Sequence, residues 1–154
     1  MLVLVAGCRE PTHIDPRTLA HELPRAVVED HPEVVDDVVC PGPIDRGAGV
    51  ETTCAATIGG TPVTLKVTQV DDDGRVRVEL DRTLLDVEKV AADLAARLTK
   101  DVGIATTVTC EGPQVRVLTV GDILVCDAID PAGKAHTFDA KVTDASGTID
   151  LTLR

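Results

Sequence analysis

The chain has 154 residues, enough for one ordinary domain or two small ones. Its 27% charged and 44% apolar residues give a globular composition, not a disordered one. A net charge of −11, no run of Lys or Arg and a single aromatic, Phe138, exclude a nucleic-acid surface, which needs a basic patch and stacking rings. No apolar run approaches the roughly 20 residues of a membrane-spanning helix.

The opening stretch, Leu2 to Glu10, runs from apolar residues through Ala6, Gly7 and Cys8 into polar ones. Val5-Ala6-Gly7-Cys8 has the pattern of a lipobox: an aliphatic residue, two small residues, then cysteine. Small residues fit a signal peptidase, and the thiol accepts a diacylglycerol. Residues 1–8 are therefore read as the end of a signal peptide, with Cys8 as the lipidation site, and residues 9–14 as a tether. Seven residues precede Cys8 and none is basic, so this reading requires a signal that begins upstream of Met1. The competing reading is an ordinary first strand with a free thiol.

Residues 15–81 and 82–154 read as two copies of one unit. In the first, Asp15 caps a helix with Pro16 at its first position, and Leu19, Leu23 and Val27 share a face. Pro24 is predicted to kink or split it. In the second, Asp86 to Gly103 places Val87, Val90, Ala91, Leu94 and Leu98 on one face, with Lys100 in the last turn and Gly103 as terminator.

Each helix precedes a cysteine pair. Cys40 and Cys110 are 70 residues apart, Cys54 and Cys126 are 72 apart, and each pair encloses a short loop that holds a Gly-Pro and a later glycine, Gly49 or Gly121. Thr64 to Leu80 then aligns with Thr137 to Leu153 at an offset of 73, apolar residues recurring at every second position on both sides of a glycine turn. Gly59-Gly60 and Asp130 to Gly133 supply the middle turns. The predicted fold is α+β: two tandem repeats, each one helix packed on an antiparallel sheet of about four strands. The link around Asp81-Arg82-Thr83 is short, which favours packing of the two repeats on each other.

Four cysteines allow three pairings, and the repeat favours Cys40 with Cys54 and Cys110 with Cys126. Intervening stretches of 13 and 15 residues fit neither zinc ligands nor a Cys-x-x-Cys redox pair. A unit of this size without aromatic residues gains from a covalent staple, and disulfides imply a compartment outside the cytoplasm.

The arrangement Cys40-Pro41, Gly49 and Cys54, followed by VTLKVTQVDDDGRVRVEL, resembles a domain family of unknown function frequent in lipoproteins and membrane-tethered proteins of mycobacteria and related actinobacteria. The second unit departs from it at Glu111, which stands where Pro41 does. The resemblance implies a disulfide-bonded envelope domain and supplies no catalytic residues.

His13, His21, His31 and His136 lie at no ligand spacing and read as surface residues. Asp71-Asp72-Asp73-Gly74 lacks the alternating acids and later Glu of a calcium loop and reads as a solvated turn. No catalytic site, metal site or cofactor is predicted. The expected function is a non-catalytic extracytoplasmic binding module, held on the membrane through Cys8, for an envelope protein or wall component. A carrier of an apolar lipid or small ligand between helix and sheet is the alternative.

Overall fold

The computed structural model describes residues 12–154; the opening stretch with Cys8 lies outside them. The first unit comprises β1 (His13–Ile14), α1 (Pro16–Val27), a 3-10 turn (Pro32–Val34), β2 (Val35–Val39), β3 (Ile44–Asp45), β4 (Glu51–Ile58), β5 (Thr61–Gln69) and β6 (Val76–Leu80). The second repeats that order with β7 (Thr83–Asp86), α2 (Val87–Val102), β8 (Thr107–Cys110), β9 (Val115–Leu118), β10 (Ile123–Ile129), β11 (Ala135–Val142) and β12 (Ile149–Leu153). Each unit has one four-stranded antiparallel sheet, ordered β2-β4-β5-β6 and β12-β11-β10-β8. The fold is α+β with tandem repeats, and the duplication extends to individual cross-strand pairs. Leu65 faces Leu80 and Val67 faces Val78 in one sheet; Phe138 faces Leu153 and Ala140 faces Leu151 in the other.

The helices form where the sequence caps them. The Asp15 carboxylate accepts from the Arg17 N–H at 2.8 Å, and the Asp86 carboxylate accepts from the Glu88 and Lys89 N–H groups. Gly103 ends α2 in the left-handed region at φ 71°. Pro24 does not split α1: the helix runs through it to Val27, and the Val28 N–H still bonds the Pro24 carbonyl. Only the last turn follows Pro24, so the missing donor disturbs little. Buried Leu19 and Leu23 on α1, and Val87, Val90 and Leu94 on α2, face the sheets.

Two small ribbons complete the fold. β1 pairs with β3 and β7 pairs with β9. The sequence reading took His13 and Ile14 as tether and Val115 to Leu118 as loop. Instead, Ile14 and buried Ile44 close the first core. The second ribbon serves both cores. Leu85 and Leu118 point into the second unit, while Leu84, Val115 and Val117 pack on the first. This sharing joins the units across the Asp81-Arg82 link. It is reinforced by Lys89 on Asp30 at 2.7 Å and by Gln114 on His31 at 3.0 Å. On the first ribbon, the positions equivalent to Leu84 and Val117 hold His13 and Asp45, an exposed polar pair with His13 Nδ1 3.0 Å from the Asp45 carboxylate.

Gln69 is a buried polar residue that the second unit replaces with Val142. Its amide donates to the Asp45 carbonyl at 2.6 Å and its carbonyl accepts from the Gly47 N–H at 3.0 Å, so it clamps the loop between the first two cysteines. Gln69→Val leaves both backbone groups without these partners and is expected to cost about 1–3 kcal/mol. Urea unfolding checks it; an unchanged midpoint would show that water replaces the clamp.

Candidate functional site

Both cysteine pairs are disulfides within their own unit, Cys40 to Cys54 and Cys110 to Cys126. Each ties the outermost strand of its sheet to the next strand inward. Cys110 and Cys126 are direct cross-strand partners, and Cys40 follows Val39, which pairs with Ala55. Cys54 and Cys126 are buried under the helices.

The histidines do not converge. His21 is exposed on α1, and His13 pairs with Asp45 on the first ribbon. His31 and His136 are half-buried, not the surface residues expected. His31 sits between the units; as the Nδ1–H tautomer it donates to Glu33 at 3.1 Å and accepts from the Gln114 amide at Nε2. Glu33 is held below its ordinary pKa first by its own backbone N–H and then by His31. The Asp71 carboxylate accepts from the Asp73 and Arg75 N–H groups across the β5–β6 turn. Among the described residues no group of three or more His, Cys, Asp or Glu is placed to hold a metal ion.

Comparing the two units position by position exposes a different site. In the first, Val35, Ile58, Val63 and Leu65 are buried in a core that the second ribbon covers. Their equivalents in the second unit are Thr106, Asp130, His136 and Phe138, none of them buried. With Leu98 and Val102 of α2, they line an open and largely apolar groove of about 210 Å³ between the end of α2 and the sheet. Val102 is 61% exposed and Leu153 59% exposed at its mouth, with Ile104 beside them. In the first unit the same end receives β9: the Gly59 turn lies against Val115.

Three polar groups interrupt the groove. The Thr106 hydroxyl is buried without a hydrogen-bond partner among the described residues. His136 lies 3.7 Å from Asp130. The Asp130 carboxyl is held below the usual range, first by the Lys134 N–H, then by the Ala132 N–H and by His136, so it is an anion at neutral pH. The sequence reading did not single out this groove. The signal was available in the repeat, where apolar Val35, Ile58 and Val63 become Thr, Asp and His.

The architecture is that of a disulfide-stapled α+β module built as a tandem repeat. Residues 1–74 match the family model of DUF4333, a domain of unknown function. The match takes in α1, the first disulfide and strands β1 to β5. No curated protein and no solved structure matches the chain. Two disulfides suggest an oxidising, extracytoplasmic environment. Among the described residues no helix is long and apolar enough to cross a membrane.

Proposed function

We propose that this chain is a non-catalytic binding module of an actinobacterial cell envelope, anchored by a lipid on Cys8, that docks a protein at the open end of its second unit. The observation that carries the reading is the contrast between the units: positions sealed in one core line an open apolar groove in the other. Exposed apolar surface of this kind marks interaction sites. The first unit supplies the chemistry of the partner. It binds a two-stranded ribbon whose Leu84 and Val117 lie on its core. The partner at the second unit is therefore a protein presenting an apolar β-ribbon. The lipobox-like Val5-Ala6-Gly7-Cys8 and the two disulfides support the anchor and the envelope.

A carrier of a small apolar ligand is the second reading, favoured by the unpartnered Thr106 hydroxyl. At about 210 Å³ the groove is smaller than the roughly 300–1,000 Å³ of ordinary ligand sites, which favours docking. A photo-crosslinking residue at Val102, with Glu79 as control site, tests both in an actinobacterial host. Docking gives a protein adduct at Val102, mapped to a β-segment and abolished by Leu153→Asp. An adduct of lipid mass would establish the carrier instead, and equal labelling at Glu79 would sink both. Cys8→Ser is expected to release the protein from the membrane fraction; retention there would remove the anchor.

A further inference from the structure

The two four-stranded sheets have four outer edges, and three of them are guarded. β6 carries exposed Arg77 and Glu79, and β12 carries exposed Asp150. β2 carries Asp36 and Asp37, its register with β4 shifts between Asp36 and Val39, and Asp37 adopts φ 52°. Bulges and charges of this kind keep strand edges from pairing with other chains. β8 has neither. Its register with β10 is regular from Thr107 to Cys110, and its exposed side chains are Thr107 and Thr109. The Glu111 N–H bonds the Val125 carbonyl, so by antiparallel alternation Val108 and Cys110 direct their N–H and C=O groups away from β10.

A groove runs beside that edge. Its other wall is α2, through Glu88, Ala91, Ala92 and Ala95. The equivalents of Glu88, Ala92 and Ala95 on α1, 71 residues earlier, are Arg17, His21 and Pro24. The second unit thus has short side chains and a carboxylate where the first has long or rigid side chains and a cation.

We infer that β8 and α2 form a strand-addition site for an extended cationic peptide segment of a partner protein. A row of unpaired main-chain donors and acceptors is complemented by another extended main chain. Alanines leave depth for its side chains on the helix side. Glu88, Glu111 just past the strand and a net charge of −11 favour Lys or Arg in the segment. This site shares Thr106 with the groove at the end of α2, but it is built on β8 and the first turns of α2 and does not depend on that groove being filled.

The test is an amide-shift titration of the isotope-labelled chain with an end-blocked octapeptide alternating lysine and valine. The expected shifts fall on Val108, Cys110 and the Ala91 to Ala95 turn, with none on β2, the matching edge of the first unit. Ala92→Lys with Ala95→Lys, both compatible with a helix, should weaken binding by about tenfold or more, a change of roughly 1.4 kcal/mol. The same peptide N-methylated at alternate residues keeps its charge but cannot add a strand, and should not bind. Equal binding of the methylated peptide, or shifts scattered over the acidic surface, would overturn the assignment. So would self-association of the chain through β8, which would make a second copy the occupant.

Discussion

Replacing Cys40 and Cys54 together by alanine is expected to lower stability by about 3 kcal/mol, the value for a cross-link closing a loop of about 15 residues. The two cysteines are 14 residues apart, and Cys110 and Cys126 are 16 apart, so the chain-entropy contribution of the second bridge is nearly the same. The contexts differ. Cys40 and Cys54 are both buried in the first core, whereas Cys110 is half-buried at the open side of the second. Removing the first pair therefore also loses packing and should cost more than removing the second. Urea unfolding of the two double variants measures both effects. A loss below about 1 kcal/mol for either would mean that the core suffices without its staple.

Gly59→Ala is expected to damage the joint between the units. Gly59 has φ 54°, and a Cβ built there would lie 2.5 Å from the Val115 carbonyl oxygen. The left-handed conformation alone costs a non-glycine residue about 1–2 kcal/mol. Overpacking against backbone adds typically about 1–3 kcal/mol, because neither strand end can rotate aside like a side chain. Gly60 is the built-in control. Its φ is 81°, yet nothing lies within 4 Å of its Cβ position, so Gly60→Ala should show the conformational cost alone. Thermal unfolding reads the difference. The variant with a loosened joint should also unfold in two steps, since the ribbon then ceases to couple the cores. Equal effects at both glycines would show that the units do not pack through this turn.

Much of the fold was legible because the chain states it twice. Two-residue alternation marked the paired strands within Thr64 to Leu80 and Thr137 to Leu153, although β5 and β11 begin three and two residues earlier, and the caps Asp86 and Gly103 bounded α2. The cysteine pairing followed from the same duplication. The ribbons escaped because their strands are two to four residues long, too short for any period to show. Val115 to Leu118 contains three apolar residues, but its flanks, Gly112-Pro113 and Gly121, read as loop. Their partners lie far away in sequence: Leu84 pairs with Val117 and Ile14 with Ile44. Pro24 misled because its effect depends on how many turns follow it, and here only one does. The candidate groove was half legible. Its apolar residues fit a core pattern equally well, and openness depends on a cover the sequence does not mark. What was readable, and went unread, was the loss of Val35, Ile58 and Val63 between repeats.

The polar pair on the first ribbon bears on assembly. Tandem units that stack by laying a ribbon on the preceding unit's end are built for unlimited head-to-tail growth: one copy's first ribbon would meet the next copy's last groove. Such a contact does not close on itself and leads to filaments. Here the ribbon that would start each link carries polar His13 and Asp45 where the seated ribbon carries Leu84 and Val117, and stacking would strip water from both. The first ribbon therefore opposes head-to-tail stacking of copies through this end of the fold.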